Sequence, residues 1–276
     1  MGASVNTNVG ALAALQNLNS TNRSLSVVQS RINTGLNVAS TKDDSAAFAI
    51  AQTLRGDLGG LKAVTSSLST AKSSVDVAVT GAEQISDLLN QMDAKAIEAS
   101  DTGISDASRA SIAKDFAALK DQMTTIIDSS SFNGSNLLKG AVAPAVASSV
   151  SALQSTAAGA PTLSVANQDF TAVATAIGVI TDAASATSMR ATLATQATAV
   201  KDKLSTLGSA ARKIDGQMSF VSKLSDAIEG GIGNLVDADL AKESAKLQAL
   251  QVKQQLGVQA LSIANQAPQS VLSLFR

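Results

Sequence analysis

The sequence predicts a mainly α protein, a long coiled-coil-like helical bundle with one small β-hairpin in its middle. Three observations carry that expectation. Apolar residues recur at alternating steps of three and four over very long stretches, the spacing of a helix that buries one stripe. The only prolines in 276 residues are Pro144, Pro161 and Pro268, so residues 1–143 and 162–267 lack the residue that most strongly interrupts helices. The side chains are also small: Ala (50), Ser (37) and Thr (21) supply 108 residues, and the aromatics are six Phe. Small side chains fill little volume, so the helices that carry them must approach closely or pack over great length.

The N-terminal arm carries Ala11, Leu18, Leu25 and Ile32 at sevens, with Ala14, Thr21 and Val28 between them. Asp43-Asp44 precedes the apolar stretch Ala46–Ile50, where helix capping is the expected use of a carboxylate. The longest seam follows: Leu61, Val64, Leu68, Ala71, Val75, Ala78, Ala82, Ile85, Leu89, Met92, Ala96 and Ala99. At 1.5 Å per residue it spans roughly 58 Å of helix. After Gly103 a shorter run follows, with Ile112, Phe116, Leu119, Met123 and Ile126. Asn133-Gly134 is a turn signal and Thr162–Val165 alternates like a short strand, which places the hairpin in the Ser/Ala/Gly-rich middle.

A second seam runs Leu193, Ala197, Val200, Leu204, Leu207, Ala211, Ile214, Met218, Val221, Ser225, Ile228, Ile232 and Leu235. It meets Gly230-Gly231-Ile232-Gly233, which fits no phosphate-binding pattern and reads as a hinge between two helical domains. In the C-terminal arm Leu247, Leu250 and Leu261 lie on one face, and Val252, Leu256 and Ile263 on an adjoining one. A helix apolar over that much circumference needs partners on more than one side. One antiparallel neighbour from the same chain would leave a face open, so both arms are expected to be covered by other copies.

Charge and composition narrow the function. The formal charge is −1, with no Cys, His, Trp or Tyr. That removes disulfides, the usual zinc and haem ligands, and thiol or imidazole catalysis, and no cofactor or metal is expected. A balanced charge argues against nucleic-acid binding. Ser-x-x-Lys occurs at Ser69/Lys72 and Ser111/Lys114, which chance alone provides at this composition, and no companion motif of an acyl-transfer enzyme is present. No run reaches the roughly 20 apolar residues of a membrane span. The N-terminus lacks a basic start with an apolar stretch, so the chain is expected to be cytoplasmic or exported without a cleaved signal. Charges desert the ends: only Arg23 and Arg31 occur in residues 1–41, and none in 254–275.

The terminal motifs resemble bacterial flagellins. Val5–Asn8 with Ala11-Leu12 and Asn17-Leu18, and Arg31–Ser40 followed by Lys42-Asp43-Asp44-Ser45-Ala46-Ala47, are similar to the family's N-terminal signature. Phe132-Asn133-Gly134 with Leu137-Leu138 is similar to its turn after the second outer-domain helix. Asp237-x-Asp239-x-Ala241-x-Glu243 and Ala264–Leu274 resemble its C-terminal signature. Two departures stand out. Asp93 and Ala94 take the place of an Arg-Glu pair common in the family, and Gly233-Asn234 takes the place of a Ser-Arg. The former points to the subgroup found in alphaproteobacteria.

The resemblance implies antiparallel packing with paired N- and C-terminal helices lining a filament channel. The expected division is a terminal domain of 1–42 plus 236–276 and an outer domain of 43–235, with the hairpin segment at about 133–170. It implies filament assembly through Leu18, Leu25, Val28, Ile32, Leu247, Leu250, Val252, Leu256, Leu261 and Ile263. Asp43, Asp44, Gly230, Gly231, Gly233, Asp237 and Asp239 are expected at the domain junction. The implied function is a non-enzymatic, extracellular filament subunit for swimming. Its partners would be further copies of itself and related flagellins, the flagellar type III export apparatus, an export chaperone, and junction and cap proteins. Neither nucleic acid nor membrane insertion is expected. The rival readings are a hook–filament junction protein and a secreted helical adhesin.

Overall fold

The computed structural model describes residues 7–140, 149–157, 159 and 161–272, the last six by their backbone alone. Val5-Asn6, the run around Pro144 and the end of the C-terminal motif, Ser273-Leu274, lie outside the described residues. The elements in chain order are α1 (Val9–Thr34), α2 (Ser45–Ser100), α3 (Asp106–Ser129), β1 (Ser149–Leu153), β2 (Thr162–Ala166), α4 (Thr171–Ala176), α5 (Ala183–Val236) and α6 (Leu240–Leu272). Long helices and one hairpin are what the repeat and the proline spacing predict. The chain divides into two compact units, one of Met1–Gly56 and Ala227–Arg276, the other of Asp57–Asp226.

In the Asp57–Asp226 unit, α2 and α5 run antiparallel. Lys72 meets Asp215 at 2.9 Å and Asp93 meets Arg190 at 3.9 Å, so numbers rise along one helix as they fall along the other. All of the α2 seam positions from Leu61 to Ala99 are buried. On α5 the residues at sevens, Leu193, Val200, Leu207, Ile214 and Val221, are buried, while Ala197, Leu204, Ala211, Met218 and Ser225 between them are half-buried. One set of α5 positions therefore points into the seam and the other lies at its margin.

The end of α2 is closed by α3. Ser105 caps α3 by accepting from the Ser108 amide at 3.1 Å. Buried Arg109 donates from Nε to the Ala99 carbonyl at 3.1 Å and from Nη2 to that of Asp101 at 2.9 Å. It thereby satisfies carbonyls that a helix end leaves without partners. Asn133 and Gly134 have φ of 48° and 79°, and the amides of Phe132 and Ser135 each donate to the other's carbonyl at 2.9 Å. Two consecutive positive φ values are what a two-residue hairpin turn requires, which is why Asn-Gly occupies it. Next to it, Asn136 donates to the Ile127 carbonyl at 2.7 Å and accepts from the amides of Leu138 and Lys139, which seats Leu137 and Leu138 in the core.

The hairpin pairs β1 and β2 antiparallel, from Ser149 opposite Ala166 to Leu153 opposite Thr162. It turns Ala152 and Val165 inward. The Leu153 amide donates to Ser67 Oγ at 3.1 Å and Gln217 donates to the Gln154 carbonyl at 2.9 Å, fixing the hairpin to both long helices. The segment after β2 is pinned by lysines: Lys203 donates to the Gln168 carbonyl and lies over the Phe170 ring, and Lys120 donates to the Ile177 carbonyl.

Candidate assembly interface

The other unit is built on the pairing of α1 with α6. Asn8 caps α1, accepting from the Ala11 amide at 3.0 Å, and its amide group donates to the Ala264 carbonyl at 2.6 Å. Gln254 donates to Asn22 at 2.8 Å, and Arg31 lies 3.8 Å from Glu243. These three ties fix the antiparallel register of the pair, as a polar residue does in a coiled-coil seam. At Gly257 a Cβ would stand 3.3 Å from a Leu18 methyl, so the two helices approach closely there.

Arg31 sits in the last turn of α1 and Glu243 in the first turn of α6, each complementing the dipole of its own helix. Glu243 is buried and also accepts from Lys246 at 2.5 Å. The connectors beside this pair are stitched by backbone bonds. Asn37 and Val38 donate to the Val236 carbonyl, and Ala238 donates to that of Gly35. Gly35 closes α1 with φ 72°, a left-handed conformation that suits glycine.

The arm residues singled out from the sequence separate into two groups. Leu18, Leu25, Val28, Ile32, Leu247, Leu250 and Leu261 lie on the mutual face of α1 and α6, where Val28 is buried and the others half-buried. Val252, Leu256 and Ile263 face away, exposed by 55, 57 and 69%. Val9, Leu12, Leu15 and Val27 on α1 and Val258 on α6 are exposed with them. A groove of about 590 Å³ opens between Ala11, Leu12 and Leu15 of α1 and Leu261 of α6. One helix face is thus spent inside the chain, and a second apolar face has no cover among the described residues.

The junction set lies wholly in this unit. Asp44 caps α2, accepting from the amides of Ala46 at 2.9 Å and Ala47 at 3.0 Å; Asp239 does the same for α6 with Ala241 and Lys242, both at 3.0 Å. Asp43 closes the preceding turn: the Ser40 hydroxyl and amide, with the Ala39 amide, donate to its carboxylate and hold its pKa below the usual 3.8. Gly230, Gly231 and Gly233 are inside α5, which runs unbroken to Val236. The Asp237 amide bonds the Gly233 carbonyl at 2.9 Å, and the helical path breaks between Asp237 and Asp239.

The sequence reading did not single out the Asn8, Asn22–Gln254 and Arg31–Glu243 ties. The scarcity of charge was the usable signal for the last, since Glu243 is the one carboxylate in α6 and α1 has none. Nothing in the local pattern marks Asn22 or Gln254. At Ser69/Lys72 the Asp215 carboxylate raises the Lys72 pKa, which is the wrong direction for a lysine general base. Among the described residues no acidic cluster could hold a metal ion, and no helix is long and apolar enough to cross a membrane.

Residues 5–143 match the model of the bacterial flagellin N-terminal helical region, and residues 191–275 that of the C-terminal helical region. The chain belongs to the bacterial flagellin family. It is 45% identical to flagellin FljM and to flagellin FljK of Caulobacter vibrioides, in each case over 99% of this chain and 98% of the relative. To a flagellin of Brucella melitensis it is 38% identical, over 99% of both chains. These relatives are alphaproteobacterial, in keeping with the departures at Asp93-Ala94. The crystal structure of Bacillus cereus flagellin shares the fold at a TM-score of 0.50 and 23% identity, over 55% of this chain and 86% of that one. As a flagellin, this chain is a structural subunit of the flagellar filament.

Proposed function

We propose that this flagellin polymerises through the uncovered faces of α1 and α6, each copy completing the burial that its neighbour lacks. The observation that carries the reading is the exposed stripe Val252, Leu256 and Ile263, set beside an equally exposed Val9, Leu12 and Leu15. Exposed apolar surface that recurs on every copy, joined head to tail by a rotation that does not close, generates an open filament rather than a ring or dimer. The mutual-face residues Leu18, Leu25, Val28, Ile32, Leu247, Leu250 and Leu261 hold the pair in the shape that presents those stripes.

In this reading residues 1–42 with 236–276 form the filament's inner core and residues 43–235 its outer layer. Asp43, Asp44, Gly230, Gly231, Gly233, Asp237 and Asp239 form the junction between them. The filament works outside the cell, reached through the flagellar export apparatus with no cleaved signal peptide. An export chaperone would shield the arms beforehand, related flagellins could join the same polymer, and junction and cap proteins would bound it. No chemical step is assigned to the chain.

Elongation of filament seeds tests the reading. Purified subunits should lengthen the seeds seen by electron microscopy, and subunits whose arms have been trimmed by limited proteolysis should not. Filaments from trimmed subunits would sink the mechanism.

A further inference from the structure

The charges of the Asp57–Asp226 unit are sorted between its two long helices. From Ser73 to Ala94, α2 contains Asp76, Glu83, Asp87 and Asp93 and neither Lys nor Arg. The stretch of α5 alongside it, Arg190–Lys213, contains Arg190, Lys201, Lys203, Arg212 and Lys213 against the single carboxylate of Asp202. Asp76, Glu83 and Asp87 follow the spacing i, i+7, i+11, which keeps them within about 40° on one exposed face of α2. Lys201 and Arg212 are likewise 11 residues apart on one exposed face of α5, while their neighbours Asp202 and Lys213 stand about 100° further round. The two spans share one length, about 16.5 Å. The register of Lys72–Asp215 and Asp93–Arg190 puts Asp76 near the level of Arg212 and Asp87 near that of Lys201. Among the described residues no ion pair joins the two sets, and Glu83, Asp87 and Lys201 have no ion pair at all. Asp76 comes within 3.6 Å of Lys72, which sits closer to Asp215, and Arg212 donates to the Ser209 hydroxyl.

We infer that these faces bind each other between copies, the acidic face of α2 in one subunit lying against the basic face of α5 in the next. The inference rests on the assembly through the arms proposed above and adds an ionic contact outside them. Because α2 and α5 run antiparallel, two copies oriented alike set Asp76 and Asp87 against Arg212 and Lys201 in that order, so both pairs close at once. A second copy is the occupant that fits. A foreign cation would match only α2 and a foreign anion only α5, whereas each subunit offers both halves at one spacing. The contact is heterologous and leaves one face of each sign free at the edges, so it can recur along a row of subunits. Exposed ion pairs of this kind select and orient a partner more than they tighten its binding.

The test reverses one charge at a time in the full-length subunit and reads the critical concentration for seed elongation. D87K and K201E should each raise it about fivefold, the exchange of one exposed attraction for a repulsion of like size. The double variant D87K/K201E should return to the wild-type value. An equimolar mixture of the two single variants should fall back toward it as well, since the reversed α2 of one copy then meets the reversed α5 of another. Neither residue has an ion pair to lose within the chain, so thermal unfolding should be unchanged. Should a reversal unfold the subunit, D87N and K201Q take its place, with a rise of about twofold each. Single variants that elongate seeds as the wild type does would overturn the contact. So would single variants that mixing fails to rescue, because the two charges would then act within one chain. Wild-type subunits that fail to elongate seeds overturn the assembly reading and this contact with it.

Discussion

The α2 seam and the α1–α6 pair are written in the same heptad rhythm, and they differ in how far one chain can finish the burial. From Leu61 to Ala99 every seam position of α2 is buried, because α5, α3 and the hairpin segment enclose it within the unit. In α1 the same rhythm yields one fully buried residue, Val28, and the apolar residues of α6 split between a half-buried face and an exposed one. Periodicity tells which residues want cover. The number of helices that surround them decides whether they receive it in the monomer.

The largest expected effect separates the two regions directly. Leu68→Ala removes a fully buried seam side chain and should cost about 2–5 kcal/mol in denaturant unfolding of the subunit. Leu256→Ala, on the exposed stripe, should change subunit stability by no more than about 0.5 kcal/mol while impairing seed elongation. Equal destabilisation by both would erase the contrast.

A smaller effect probes the pair itself. At Gly257 a side chain meets Leu18, so Gly257→Leu should splay α1 from α6 at a cost of about 1–3 kcal/mol. Far-UV circular dichroism should lose arm helicity while the main thermal transition stays in place. A fall in both would mean that the α2 seam depends on the arms.

The smallest effects are pH-dependent and of opposite sign in the two regions. The Ser40 hydroxyl and amide hold the Asp43 pKa below 3.8. Its contribution is complete above 3.8 and is lost as pH falls through the lowered folded value, loosening the turn before α2. The Asp215 carboxylate raises the Lys72 pKa above 10.5, with Asp76 adding to it. That contribution is complete below 10.5 and is lost as pH rises through the raised value, loosening α2 from α5. Asp43 is exposed and Lys72 half-buried at the surface, so the changes should be slight in thermal melts and clear in residue-resolved titrations. A titration of Asp43 above 3.8 would contradict the turn geometry.

Most of the fold was legible because its signals are local and repeated. The seam of α2, the Asn133-Gly134 turn and the strand at Thr162 each follow from spacing or backbone chemistry that a few residues express. The exposed stripe at Val252, Leu256 and Ile263 was legible for the same reason, as surplus apolar circumference. The ties of Asn22 to Gln254 and of Arg31 to Glu243 were not, since they join residues more than 200 positions apart and depend on register. Nor did the glycines at 230, 231 and 233 mark the end of a helix: α5 runs through them and its path breaks at Asp237–Asp239, where a carboxylate caps the next helix.

Amide hydrogen exchange on subunit and filament tests the central claim most directly. Amides of α2 from Leu61 to Ala99 should be protected in the free subunit and little changed in the polymer. Those of α1 and α6 should exchange quickly in the subunit and become strongly protected on polymerisation. Arms as protected as the seam before assembly, or arms that gain no protection within filaments, would contradict the account.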